Sequence, residues 1–308
     1  MLVLLAAPGP SAEERAIAYL SREVPQWSKQ NHCYSCHNNG DGARALYTAR
    51  RLGYRVADEA LADTTRWLAR PGEWDNNRGD PAFSDKKLAR IQFAASLAAA
   101  TDARVVEDRQ ALVEAAASLL SYQEADGSWR VDAGAAIGSP VTWGAPLATH
   151  LAARTLEKAD AARFAEPIAR ARRWLLETRA NSVLDAAAVV MALAASRDPR
   201  AEAKVRQCLE LIRAVQASDG GWGPQAKSPP EAFDTAVALL ALSTVNDRAA
   251  DRRRIERGRP YLIRTQLSPG GWPETTRPPG SQSYAQHLST SAWATLALIE
   301  TRRAVEAR

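Results

Sequence analysis

The segment Asn31-His32-Cys33-Tyr34-Ser35-Cys36-His37 places more reactive chemistry in seven positions than any other stretch of the 308-residue chain. Two thiols three positions apart with an imidazole directly after them satisfy the requirements of c-type haem attachment. Cys33 and Cys36 would add to the two vinyl groups, and His37 would then lie under the iron as its axial ligand. The same stretch offers zinc two sulfur and two nitrogen donors in His32, Cys33, Cys36 and His37. Adjacent residues, however, rarely converge on one small ion. A redox dithiol is a further reading, although such pairs usually open a helix in a βαβ setting. Haem, zinc, and a dithiol or structural pair all stay open on these residues alone.

The elements that must hold this motif are repetitive. Gln123-Glu-Ala-Asp-Gly-Ser-Trp129, Gln216-Ala-Ser-Asp-Gly-Gly-Trp222 and Gln266-Leu-Ser-Pro-Gly-Gly-Trp272 align without gaps, with Gly72-Glu73-Trp74 as a weaker echo. Before Trp222, residues Val205, Cys208, Leu209, Ile212 and Val215 recur at helical spacing, with Lys204, Arg206, Glu210 and Arg213 opposite. That pattern predicts an outer helix with one buried stripe. After it, Phe233 to Val245 is apolar nearly all round, as expected of an inner helix covered on several sides. The Asp-Gly pairs between them suit tight turns, since Gly tolerates positive φ and Asp bonds its own backbone.

Repetition predicts six hairpins, over 12–54, 56–101, 105–158, 163–197, 200–246 and 249–305. The expectation is an all-α (α/α)6 toroid with inner and outer helix layers, a single domain over 12–308. Closure leaves no repeat with an open apolar face; an open superhelix of the same pairs is the competing architecture. The Cys-x-x-Cys-His stretch falls at 31–42, in the turn of the first hairpin. No complete cytochrome fits there, so Trp27, Tyr34 and Trp74 are the candidate covers for a haem. For its sixth ligand, ring closure favours His287, with His150, Met191 or an open position as the alternatives.

The three Gln/Trp segments, followed by Asp234-Thr235-Ala236 and Leu240-Ala241-Leu242, resemble the repeat of squalene–hopene cyclases and related terpenoid cyclases. Thr290-Ser291-Ala292 and Leu296-Ala297-Leu298 match it loosely. The resemblance implies that Gln123, Trp129, Gln216, Trp222, Gln266 and Trp272 are scaffold. It also implies a catalytic acid motif, Asp-x-Asp-Asp-Thr-Ala, whose middle Asp protonates an alkene. This chain has Glu231-Ala-Phe233-Asp234-Thr-Ala at that place, so Phe233 stands at the proton-donor position and Asp234 is the remaining catalytic candidate. Asp234 has a second reading as a helix cap, shared with Asp185 and Asp85 at comparable places. The chain is also about half the size that the resemblance implies for a squalene cyclase. In the related protein prenyltransferases a Cys is a zinc ligand, but Cys208 falls on a buried outer-helix stripe, which reads as a core thiol.

The formal charge is +5. Arg252-Arg253-Arg254-Ile255-Glu256-Arg257 is the densest basic run, readable as a solvated face or as a peripheral contact to anionic lipid. No nucleic-acid partner is expected, and no apolar stretch is long enough to cross a membrane. Residues 1–11 read either as the remnant of an export signal or as a disordered start. The expectation is therefore an exported, periplasmic haem c protein on a cyclase-like ring, serving electron transfer with a redox partner protein. His37 and His287 would ligate its iron, and an isoprenoid or lipid ligand would fill an apolar lumen. The alternatives are a cyclase-like enzyme or lipid-binding protein without the usual acid, and a solid ring that serves as an interaction module.

Overall fold

The computed structural model describes residues 9–78, 86–131, 137–245, 248–277, 279–280 and 282–306. Residues 1–8, which carry most of the export-signal reading, and Asp85 lie outside them. Twelve α-helices and no strand are found among the described residues. They are α1 (Ala12–Asn31), α2 (Ala43–Arg51), α3 (Ala62–Leu68), α4 (Lys86–Asp102), α5 (Arg109–Leu119) and α6 (Gly144–Asp160). The second half comprises α7 (Ala165–Glu177), α8 (Val183–Leu193), α9 (Pro199–Ala214), α10 (Ala232–Thr244), α11 (Arg248–Thr265) and α12 (Tyr284–Glu306). The even-numbered helices pack side by side in the order α2, α4, α6, α8, α10, α12, and α12 returns to α2. The odd-numbered helices surround them. The molecule is an (α/α)6 toroid, closed and not superhelical.

Each Gln/Trp turn ties three helices together. The side-chain amide of Gln216 donates to the Gly220 carbonyl in its own turn (2.9 Å) and to the Arg254 carbonyl of the next outer helix, α11 (3.0 Å). Gln123 does the same to Gly127 and to Pro167 on α7. The indole N–H groups of Trp129, Trp222 and Trp272 reach back to the last carbonyls of the preceding outer helices, at Leu119, Ile212 and Leu262 (2.9, 2.8 and 2.7 Å). Helix ends leave such carbonyls without intrahelical partners. The backbone N–H of each Trp then donates to a hydroxyl on the following inner helix, Thr149, Thr235 or Ser291, at 2.9 Å in every case.

The glycine in each turn is forced. Gly220 sits at φ +94°, and a Cβ there would lie 2.2 Å from the Arg257 carbonyl oxygen, so both sterics and contact exclude a side chain. The third turn closes the ring: Gln266 donates to the Ala12 carbonyl at the start of α1 (2.9 Å). A buried ion pair from Arg259 on α11 to Glu13 on α1 (2.5 Å) reinforces the same seam.

The first hairpin departs from a plain turn. Cys36–Gly42 is wound as a π-helical segment that runs straight into α2. Ser35 accepts from the His37 and Asn38 N–H groups and starts it. Asn38 and Asn39 side chains fasten it to the Glu23 and Val24 carbonyls of α1. Gly40 allows the backbone to lie against Gln92 of α4, where a Cβ would come within 2.9 Å.

The buried stripe expected on α9 is present: Val205, Cys208, Leu209 and Ile212 are buried, and burial pushes the Cys208 thiol up to about 11. Arg213, expected on the solvent face, instead makes a bidentate pair with the buried Asp251 of α11 (2.8 and 2.7 Å).

Candidate functional site

Three of the six inner helices, α6, α10 and α12, follow the Gln/Trp turns, and all six run the same way, so the ring has a motif end and an open end. Between them lies a plug. Phe233, Trp143 and Trp293 are buried and meet edge to face, with ring centroids 5.7 Å (Trp143–Trp293) and 5.9 Å (Phe233–Trp293) apart. The Arg44 guanidinium stacks on Trp293, 4.2 Å from its centroid.

At the motif end, Cys33 and Cys36 are partly exposed thiols. The His37 Nδ1 lies 2.9 Å from Ser289 Oγ of α12. Ser289 Oγ donates its one proton to Asp41 Oδ2 (2.9 Å), so it must accept from His37 Nδ1–H. The imidazole is thereby fixed with its lone pair on Nε2. Burial pushes its pKa down to about 4, which keeps the ring neutral. Asp41 also accepts from Gln92 Nε2 (2.8 Å) and faces Arg44 at 3.6 Å. Burial still lifts its carboxyl to about 6, against the opposing pull of Arg44, Gln92 and Ser289. Hydroxyl, imidazole and carboxylate here form a chain with the serine in the middle, which is not the order of a nucleophilic triad.

The other residues singled out at this end are placed differently from expectation. His287 packs edge-on against Tyr19 (5.8 Å) with its Nε2 beside Gly271. Positions two apart on a helix do not face the same way, so α12 presents Ser289 to His37 and carries His287 elsewhere. Trp74 is turned inward against Trp67 and Phe93, Tyr34 stacks on Trp67 (4.3 Å), and Trp27 stacks on Tyr284 (5.6 Å). Among the described residues, no three His, Cys, Asp or Glu side chains are arranged to hold a metal ion.

Asp234 is not a helix cap. Its Oδ1 accepts from Arg277 Nη2 (2.7 Å), and the same guanidinium pairs with Glu231 and donates to the Gly138 carbonyl (2.9 Å). Arg277 comes from the segment before α12, beyond the reach of a local sequence reading. Burial raises the Asp234 carboxyl to about 7, with Arg277 opposing and Glu231 adding. Asp185 does keep the capping role: its carboxylate accepts from the Asn181 N–H (3.1 Å) while Ser182 caps its own N–H.

A cavity of about 290 Å³ occupies the other half of the ring. On each inner helix it is lined by residues past the plug, such as Arg44 and Thr48, His150 and Arg154, Met191, Leu240 and Leu296. It was expected to be apolar. Instead its apolar surface is interrupted by Arg44, Arg51, His150, Arg154 and Lys158. Neither Asp234 nor any residue of Cys33–His37 lines it. The signal for this lining was in the sequence, as cations within otherwise apolar inner helices. The convergence of α2 and α6 on one side of a closed ring was not.

Residues 179–281 match the family model described as the squalene-hopene cyclase C-terminal domain. A squalene–hopene cyclase of Bradyrhizobium diazoefficiens is 36% identical over 81 residues, 23% of this chain and 12% of that protein's length. Among solved structures, the type II terpene cyclase MstE from Scytonema superposes with TM-score 0.58 at 14% identity, over 95% of this chain and 99% of that one. A variant of it in complex with the substrate geranylgeranyl dihydroxybenzoate gives 0.61, also at 14%, over 95% and 97%. A glycosidase variant superposes at 0.55 and 14%, over 95% and 99%, so the fold by itself does not fix an activity. MstE also corrects the argument from size, since a terpene cyclase of this fold exists at essentially this chain's length. What these comparisons establish for the chain is the α/α-toroid fold of the terpene cyclases.

Proposed function

We propose that this chain is a terpene-cyclase-fold ring that binds an isoprenoid or similar lipid in its lumen and does not cyclise it by protonation. The observation that carries this reading is the separation of cavity from acid. Protonating an alkene needs an acidic proton aimed at bound substrate. Phe233 stands where the related enzymes are expected to have that acid, and it is fully buried in the plug. Asp234 is tied to Arg277 on the far side and does not line the cavity. The two carboxylates that do line it, Asp102 and Glu300, are paired with Lys158 and Arg51. MstE holds geranylgeranyl dihydroxybenzoate in a ring of the same architecture, which supports an isoprenoid occupant here. The test is a titration with geranylgeraniol, its acid and its diphosphate, followed by product analysis with squalene and geranylgeranyl substrates. Saturable binding of geranylgeraniol or of its acid or diphosphate, without cyclised product, is expected; a cyclised product, or no binding by any of them, would overturn the reading.

A second reading, haem c at Cys33, Cys36 and His37, is favoured by one observation. The His37 Nδ1–H is held by Ser289 and Asp41, the kind of outer support that iron-ligating imidazoles have. In that reading Cys33 and Cys36 would hold the haem and His37 Nε2 would be the protein's ligand to it; the group would supply one-electron chemistry. A pyridine haemochrome spectrum of protein co-expressed with haem-attachment machinery tests it. A colourless product removes this reading and leaves the first intact.

A further inference from the structure

The cations that line the lumen are not equivalent. Inner helices run from the plug towards the opening, so the lower-numbered lining residues on each helix are the deeper ones. At the rim, Lys158 pairs with Asp102 and Arg51 pairs with Glu300 (2.5 Å for the latter), so the opening is charge-balanced. Deeper, Arg44 stacks on Trp293 and makes a long ion pair with Asp41 (3.6 Å), with its Nε and Nη2 making no hydrogen bond. One turn apart on α6, His150 and Arg154 make no hydrogen bond or ion pair among the described residues, although His150 is only 5% exposed. Burial and the nearby Arg154 and Arg44 together push the His150 imidazole down to about 3. Burial lowers the Arg44 guanidinium, and Arg154 adds to that shift against the pull of Asp41.

Two guanidinium groups and an unpartnered imidazole thus converge on one half-enclosed space, with Asp41, on the Arg44 side, as the one carboxylate near them among the described residues. Crowding like charges away from bulk water is costly unless an anion completes the set. Trp293, Leu240, Leu296 and Met191 supply apolar surface beside them, while the hydroxyls of Thr48, Thr155, Ser243 and Thr244 donate to carbonyls of their own helices and leave the nitrogen groups as the donors.

We propose that the lumen is a binding site for an amphiphilic organic anion, a carboxylate or phosphate on an isoprenoid-type tail, whose head is held by Arg44, His150 and Arg154. This rests on the lipid-binding reading above and narrows it to an acidic ligand. Arg154 and His150 grip the head from α6 and Arg44 from α2, on the other side of α4, across the floor. The tail lies along Leu240, Leu296 and Met191 towards the balanced rim. A neutral terpene would leave the three nitrogen groups uncompensated, so hydrocarbon binding is disfavoured by the same charges.

The test compares geranylgeraniol, geranylgeranoic acid and geranylgeranyl diphosphate by calorimetric titration of the intact protein. At least one anion should bind about tenfold or more tighter than the alcohol, a charge-assisted contact being of that size. Whichever anion wins identifies the head group. Arg154→Gln should remove most of that preference by weakening the anion far more than the alcohol, and because Arg154 is exposed without an ion-pair partner among the described residues this variant should fold. The double variant His150→Gln/Arg154→Gln should abolish the preference. Equal affinity for all three ligands overturns the anion site but spares the lipid-binding reading. A preference that survives the double variant also overturns it, and no binding by any of the three overturns both.

Discussion

The two ends of this ring treat charge in opposite ways. At the motif end the buried ionisable groups are answered: Asp234 by Arg277, and Asp41 by Ser289, Gln92 and the more distant Arg44. At the open end Arg154 has no ion-pair partner among the described residues and Arg44 has only the long contact to Asp41, while the rim is balanced. The first arrangement resembles a structural core that happens to be polar. The second makes sense for a surface that meets something outside the chain. The residues most suggestive in sequence, the thiols and Asp234, therefore lie on the side more occupied with holding the ring together. The cavity belongs to residues that drew little notice.

Substitutions can break this contrast in order of size. Gly220→Val should have the largest effect, because a Cβ at φ +94° would meet the Arg257 carbonyl oxygen at 2.2 Å. A loss of more than about 4 kcal/mol is expected, seen as failure to fold or a collapsed urea midpoint. Next comes Arg277→Met, which strands Asp234 and Glu231 in the motif end. Breaking a buried pair in this way costs about 3–5 kcal/mol. The matching removal at the open end, Arg154→Gln, relieves repulsion with Arg44 and should shift stability by less than about 0.5 kcal/mol in urea denaturation. If the Arg154 variant were the more damaging of the two, the contrast would be wrong.

The two ends also differ in how their stability responds to pH. Asp41 has a folded pKa of about 6, raised from 3.8, so its contribution to stability is full below about 4 and is lost as pH rises through 6. His150 is lowered from 6.5 to about 3, so its contribution is full above 6.5 and is lost as pH falls through 3. His37, lowered to about 4, acts in the same sense as His150. Each slope is at most about 1.4 kcal/mol per pH unit for one proton. Relative to wild type, Asp41→Asn should gain stability as pH rises from about 4 to 6, and His150→Gln should lose it as pH rises from about 3 to 6.5. Parallel profiles for the two variants would show that the ends do not differ in this respect.

Much of the ring was legible from sequence because it is specified locally and repeatedly. Gln216, Gly220 and Trp222 lie within one turn, and the apolar pattern of α9 and α10 separates outer from inner helices. What stayed hidden depends on closure. The hydroxyls of Thr149, Thr235 and Ser291 that finish each turn stand 13 to 20 residues beyond it. Asp234 read as a cap because Arg277, 43 positions away, is not visible from its own helix. The Cys-x-x-Cys-His stretch read as a loop, whereas Ser35, Asn38 and Asn39 wind its second half into the inner layer. The lumen was expected to be apolar because inner helices are apolar on average. Its character is set by three side chains on α2 and α6 that meet only when the ring is assembled.

The most direct test of the central claim is a co-crystal structure with geranylgeranoic acid. The account predicts density within the lumen, the carboxylate within hydrogen-bond distance of Arg154 and Arg44, and the tail against Leu240 and Leu296. Density instead at Cys33 to His37, or on the outer surface with the lumen unchanged, would contradict it.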